Sequence, residues 1–186
     1  MKRVRYSVAM SLDGFIAGPQ GESDWIIMDP ELDFGSLFAG FDTIFLGRKT
    51  YEVTRQSGGG GMPGMQAYVF SRTLRQEDCP DVIVSDDPQA TLTALRAQGG
   101  KDIWLFGGGS LFRSLLDLNL VDTVELAVMP VLLGDGIPLL PPPASNARLK
   151  LIKHRVYETT GTVSLEYEVL PGNAQQARSR KRKKNK

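Results

Sequence analysis

One stretch, residues 103–112, constrains this chain more than any other. There the apolar run Ile103-Trp104-Leu105-Phe106 meets Gly107-Gly108-Gly109 and passes directly into Ser110-Leu111-Phe112, the start of a helical pattern. A strand joined to a helix through glycines belongs to an α/β fold, and it does two physical things. Glycines remove side chains where a diphosphate would have to approach the backbone, and a helix N-terminus offers unpaired N–H groups and the positive end of the helix dipole. A tight turn with no ligand would use the same residues, so both readings stand at this point.

The rest of the pattern extends the α/β reading. Strand-like runs are predicted at 4–11, 43–46, 67–71, 82–84, 103–106, 123–131, 149–157 and 163–169. Helical patterns fall between them, at 30–38, 48–56, 88–98 and 110–118. The third has Asp87 as N-cap, Pro88 in the first turn, Leu92 and Leu95 on one face, and Gly99 to end it. The fourth sets Leu111, Leu115 and Leu118 on one stripe, suited to packing on a sheet. After Leu118 the pattern is strands alone, ending in a hairpin around Thr160-Gly161. This order implies a mostly parallel mixed sheet with an antiparallel edge.

Length and charge set the outer limits. With 186 residues and 41% hydrophobic content the chain is the size of one globular domain. No apolar run is long enough for a membrane span, and Ser7-Val8-Ala9-Met10 is too short for a signal peptide, so a cytoplasmic location is expected. A single cysteine, Cys79, and a single histidine, His154, leave no disulfide and no multi-histidine metal site, and both have bland readings: a loop thiol and an exposed strand residue. The net charge of +1 conceals an asymmetry. Seven basic residues crowd the last nine positions, and all 21 acids lie at or before Glu168. We therefore read a domain over residues 1–171 and a basic, disordered tail over 172–186, able at most to adhere weakly to nucleic acid.

Two more segments seek anions at predicted strand ends. Gly47-Arg48-Lys49-Thr50-Tyr51-Glu52 puts basic residues in the first turn of a helix, where they oppose the dipole unless an anion is near. Ser71-Arg72-Thr73 ends another strand with two hydroxyls and a guanidinium, a fork suited to a phosphate monoester. Open α/β sheets bind ligands at the carboxyl ends of their strands, so three such segments reinforce one another. Two other phosphate-loop patterns are absent: the first strand ends Ser11-Leu12-Asp13-Gly14 rather than in G-x-G-x-x-G, and Asp42 stands where a Walker motif needs glycine.

In their order, Ser11-Leu12-Asp13-Gly14-Phe15-Ile16-Ala17-Gly18, Gly47 to Glu52, Phe70-Ser71-Arg72-Thr73-Leu74 and Gly107-Gly108-Gly109-Ser110 resemble the dihydrofolate-reductase-like proteins. Met129-Pro130-Val131-Leu132-Leu133-Gly134-Asp135-Gly136-Ile137-Pro138 looks like the branch containing the C-terminal reductase domain of bifunctional riboflavin biosynthesis enzymes. The resemblance implies an eight-stranded mixed sheet with about four flanking helices, and NADPH as the source of hydride for a small, heterocyclic acceptor. It implies that Ala9, Ile16 and Ala17 border the nicotinamide. Gly47, Arg48, Lys49 and Thr50 would hold the adenosine-side phosphates, and Ser71, Arg72 and Thr73 would meet the 2′-phosphate. Gly107, Gly108, Gly109, Ser110 and Leu111 would form the diphosphate loop, commonly with a cis Gly–Gly bond, and Phe112 stands near the nicotinamide where a tyrosine is usual.

On the acceptor side, Trp25 and Asp29 match substrate-binding positions, and Glu31 is approximately in register with the acid that holds a pterin. Leu126 stands where that acid's supporting threonine is expected, so a poor dihydrofolate reductase is predicted. Glu31, Asp29 or a water near Asp13 would donate the proton. The branch implies a homodimer as well. Two other readings remain: reduction of a ribosylated aminopyrimidine, and a non-catalytic nucleotide-binding protein recruited to nucleic acid by its tail.

Overall fold

A computed structural model describes residues 1–56 and 59–171; the predicted tail, 172–186, lies outside the described residues. In chain order the elements are β1 (Val4–Ser11), β2 (Phe15–Ala17), α1 (Phe34–Ala39), β3 (Phe41–Gly47), α2 (Arg48–Gln56), β4 (Gln66–Phe70) and β5 (Ile83–Ser85). There follow α3 (Pro88–Gln98), β6 (Asp102–Gly107), α4 (Gly109–Asp117), β7 (Thr123–Met129), β8 (Ile137–Pro138), β9 (Arg148–Tyr157) and β10 (Thr162–Leu170). Eight strands form one sheet in the order β5-β4-β3-β6-β1-β7-β10-β9. From β5 to β7 every pairing is parallel; β10 runs antiparallel to β7, and β9 antiparallel to β10. This is the mixed, mostly parallel α/β sheet implied by the order of the motifs.

Alternation along the strands sends apolar side chains to both faces, as a sheet covered on two sides requires. On one face, Val4, Tyr6, Phe45, Ile103 and Leu105 pack with Leu92 and Leu95 of α3 and with Phe112, Leu115 and Leu116 of α4. On the other, Ile44, Leu46, Ala67, Val69 and Trp104 pack with Tyr51 of α2 and with Cys79 and Val82. Cys79, read from the sequence only as a loop thiol, is thus buried in this core.

Three local differences from the sequence reading have plain causes. The first helix starts at Phe34 rather than near Pro30, because the Asp33 carboxylate accepts from the Ser36 N–H and caps it there. The seventh strand stops at Met129, where Pro130 removes the next ladder donor. A second, two-stranded sheet of β2 and β8 was not predicted; each strand is too short for an alternation to show.

Candidate cofactor and acceptor site

The parallel strands end side by side, and this places the predicted segments together. Gly47 is in register with Phe70 of β4, so Arg48 leaves β3 next to the Ser71–Thr73 turn that follows β4. Leu46 is in register with Gly107, so the glycine junction after β6 lies on the opposite flank of the same strand end. Thr50, in the first turn of α2, reaches this junction: a side-chain carbon added at Gly107 or Gly108 would stand 3.3 or 3.4 Å from it.

The junction is built for close approach. The Gly107–Gly108 peptide is cis, as the resemblance implied. Gly108 is the N-cap of α4 and supplies no side-chain cap; its carbonyl accepts from the N–H groups of Leu111 and Phe112 at 3.0 and 3.1 Å. The N–H groups of Gly109 and Ser110, which precede the first of these bonds, have no carbonyl one turn back to donate to, so the helix presents donors and positive dipole at the strand end. Gly109 is demanded by packing as well. A Cβ there would sit 2.6 Å from the carbonyl oxygen of Pro138 and 2.8 Å from Pro141, so the 138–141 segment closes directly over the helix start.

The charges differ in freedom. Arg48 pairs with Glu52 one turn along α2, Nη1 to Oε1 at 2.9 Å, and both side chains are half exposed. Lys49 and Arg72 are exposed. The Ser71 hydroxyl accepts from the N–H groups of Thr73 and Leu74, both at 3.1 Å, and lies 3.3 Å from the Thr73 hydroxyl. It shapes the turn that displays Arg72. Ala9, Ile16 and Ala17 are half-buried on β1 and β2, and Ala17 is in register with Ile137 of β8. Gly136 (φ +154°) must be glycine, since a Cβ would meet the Ala17 carbonyl oxygen at 2.3 Å.

Phe112 needs correcting. It is buried (3% exposed) and stacks on Tyr6, ring centroids 3.9 Å apart, because the apolar stripe of α4 turns it toward the sheet. It belongs to the core and not to the open edge.

On the acceptor side, Asp13 is a clasp. Its carboxylate accepts from the Ser11 hydroxyl (2.6 Å) and from the N–H groups of Leu133 (3.1 Å) and Gly134 (2.7 Å), tying the β1–β2 turn to the segment after β7. The Ser11 hydroxyl and these N–H groups hold the Asp13 carboxyl below its ordinary pKa, so it is an acceptor at neutral pH and ill-suited to donate a proton. Glu31 is exposed and paired with Arg155 of β9, which also lies over the Tyr157 ring. Asp29 is the buried acid (3% exposed), and a threonine supports it, though from the hairpin and not from the position of Leu126: Thr160 donates to Oδ2 at 2.8 Å while the Glu31 N–H donates to Oδ1 at 2.8 Å. Leu126 is a core residue on β7. Trp25, half-buried, donates from its indole N–H to the Glu22 carbonyl at 3.1 Å.

Sequence reasoning missed Thr160 and Arg155. Both come from the β9–β10 hairpin, more than a hundred residues from the acids they meet, and Thr160-Gly161 signalled only a turn.

Residues 2–163 match the family described as the RibD C-terminal domain. Among curated proteins, Bacillus subtilis YyaP, itself uncharacterised, is 34% identical over 89% of this chain and 94% of its own length. Three solved structures share the fold. A Shewanella sp. PV-4 protein has a TM-score of 0.77 at 24% identity, covering 92% of this chain and all of that one. A pyrimidine reductase-like protein from Corynebacterium diphtheriae has 0.66 at 18%, covering 92% and 93%. Enterococcus faecalis dihydrofolate reductase, solved with NADP(H), has 0.65 at 17%, covering 91% and 97%.

Proposed function

We propose a function from one premise: the chain belongs to the RibD C-terminal domain family. It is an oxidoreductase that takes a hydride from NADPH and delivers it to a small heterocycle. The observation that carries this reading is the uncapped start of α4 at Gly107-Gly108-Gly109, with Thr50 against it and Arg48 and Arg72 one and two strands away. The residues fit the cofactor. The first-turn N–H groups of α4 would hold the diphosphate, and Arg72 with Arg48 the 2′-phosphate. The backbone of Ala9, Ile16 and Ala17 would border the nicotinamide. NADPH, when bound, supplies the hydride; the chain orients it and excludes water. Asp29, fixed by Thr160, ties the segment before α1 to the β9–β10 hairpin, and the proton on the product comes from water, since Asp13 is kept ionised by its donors.

Family membership and the pyrimidine reductase-like neighbour favour a ribosylated aminopyrimidine of riboflavin biosynthesis as the acceptor. Steady-state consumption of NADPH tests this against dihydrofolate. Turnover on the ordinary enzyme scale, about 1–1,000 per second, is expected with the aminopyrimidine and not with dihydrofolate. The reverse order would move the acceptor to the pterins. Cofactor binding without consumption by either would leave a nucleotide-binding protein.

A further inference from the structure

One row of residues crosses four strands, from the proposed border of the nicotinamide to an ion pair. Ala9 of β1, Ala127 of β7, Ser164 of β10 and Arg155 of β9 are register partners in turn, on the face of the sheet opposite α4. At about 4.8 Å per strand, Arg155 stands roughly 14 Å from Ala9. The three residues before it are small and half-buried, so they leave a floor between the two ends. The segment leading to α1 passes over this floor. Asp29 ties it to Thr160 of the hairpin, and Glu31 pairs with Arg155, whose guanidinium lies 4.5 Å from the centroid of the Tyr157 ring. Both members of the pair keep enough exposed surface to touch a ligand, 63% for the Glu31 side chain and 49% for Arg155.

The charges around the pair are one-sided. No lysine, arginine or histidine occurs between Arg5 and Arg48 or between Arg113 and Arg148, the stretches that supply the loops after β1 and β7. Residues 12–33 carry six acids. In the next row of the same face Glu125 and Glu166 are neighbours, and Glu125 already holds Arg5 at 2.6 Å. On β1, β7, β10 and β9, Arg155 is the basic residue of the described chain nearest the carboxyl end of β1, and Glu31 neutralises it. The strand ends proposed to hold the cofactor phosphates differ: Arg48, Lys49 and Arg72 are all exposed there.

Building on the acceptor reading above, we propose that the Arg155–Glu31 pair makes the far end of the acceptor site select a terminal hydroxyl and reject a terminal phosphate. The acceptor is then the unphosphorylated ribosylated heterocycle, with its ring over Ala127 beside Ala9, its pentose over Ser164 and its 5′ hydroxyl at the pair. A hydroxyl suits the pair as it stands, because it donates to the Glu31 carboxylate and accepts from the Arg155 fork. A phosphate only accepts, and it brings about two negative charges to the side of Glu31 in a region already rich in acids. Breaking the pair to free Arg155 leaves Glu31 facing the phosphate all the same. The discrimination is by repulsion, so it needs no further contact to the favoured form.

Titration calorimetry of the full chain, with NADP+ in excess, measures the affinity for the ribosylated aminopyrimidine and for its 5′-phosphate. Wild type is expected to bind the unphosphorylated form more tightly by roughly tenfold or more. Glu31→Gln keeps the size of the side chain and removes its charge, and it is expected to close that gap by tightening the 5′-phosphate form. Added salt is expected to narrow the wild-type gap as well, because it screens the repulsion, and this needs no variant. Equal or tighter binding of the 5′-phosphate by wild type overturns the proposal and leaves the reductase reading standing. So does a gap that neither Glu31→Gln nor salt alters. Binding of neither form overturns the proposal together with the aminopyrimidine acceptor. Selective binding of the unphosphorylated form without its reduction by NADPH upholds the selectivity and contradicts the reductase reading.

Discussion

Tyr6 carries a hydroxyl that folding removes from water without returning a partner to it. The side chain is fully buried against Phe112, its oxygen has no hydrogen-bond partner among the described residues, and burial pushes the phenol pKa up. An unpaired buried hydroxyl costs about 1–3 kcal/mol, whereas the ring contributes its packing either way. Tyr6→Phe is therefore expected to stabilise the protein by about 1 kcal/mol, read as a higher urea midpoint at unchanged slope. A loss of stability would mean that the hydroxyl is satisfied. Asp13 is the opposite case, a carboxylate with three donors, and it shows why residue type alone misleads. An aspartate before a glycine at a pocket mouth reads equally as a turn residue and as an acid, and only the positions of Leu133 and Gly134 decide between them.

The glycine junction is the element on which fold and chemistry meet, and its replacement separates propensity from packing. Alanine favours a helix interior over glycine by about 1 kcal/mol, so propensity alone makes Gly109→Ala stabilising. The Pro138 carbonyl 2.6 Å from the new Cβ makes it destabilising, by about 1–3 kcal/mol of overpacking, with a matching loss of cofactor affinity as the 138–141 segment is displaced. A thermal melt and a cofactor titration of the variant check both effects. At the start of α3, Asp87 accepts from the Ala90 N–H at 2.9 Å, so Asp87→Ala is expected to cost about 1 kcal/mol in the same melt. That cap, the Pro88 start and the Gly99 stop were all legible in the sequence, because each acts within a few residues of itself. So were the eight strands of the main sheet, to within a few residues at their ends. The β2–β8 pair and the true start of α1 were not, the first because the two residues of β8, one of them a proline, carry no strand pattern, the second because Asp33 outcompeted Pro30 as a start signal.

Across the whole molecule, a set of paired carboxylates fixes the acid side of stability, and Asp13, Asp42 and Asp102 among them tie distant segments together. Asp102 is raised by burial but lowered more by the Arg3 N–H and guanidinium and by Arg5; Asp42 is likewise raised by burial and lowered more by Lys2, Thr43 and the Lys101 N–H. Asp13 and Asp33 are lowered by the hydroxyls of Ser11 and Ser36 and by backbone donors. Each folded pKa lies below its unfolded value near 3.9, so the stabilisation is complete above that value and disappears as pH falls through the folded pKa values. Urea midpoints are expected to be level from about pH 7 to 5 and to fall below about pH 4; a decline already under way between pH 7 and 5 would point to other groups. That the segments proposed to hold the cofactor lie side by side was legible for a reason of scale too. Its parts follow strand ends directly, so strand order alone brings Gly47–Thr50, Ser71–Thr73 and Gly107–Leu111 together. The acceptor half depends on contacts such as Asp29–Thr160 that span the chain, and no local pattern announces them. The central claim is that this edge of the sheet binds NADPH and reads its 2′-phosphate with Arg72. Titration of wild type and Arg72→Ala with NADPH and NADH, followed by nicotinamide fluorescence, tests it most directly. One charge-assisted hydrogen bond contributes about 1.5–3 kcal/mol. Wild type should therefore prefer NADPH by roughly ten- to a hundredfold, and the variant should lose that factor for NADPH while binding NADH unchanged. Equal affinity of wild type for the two cofactors, or an equal loss of both in Arg72→Ala, would contradict it.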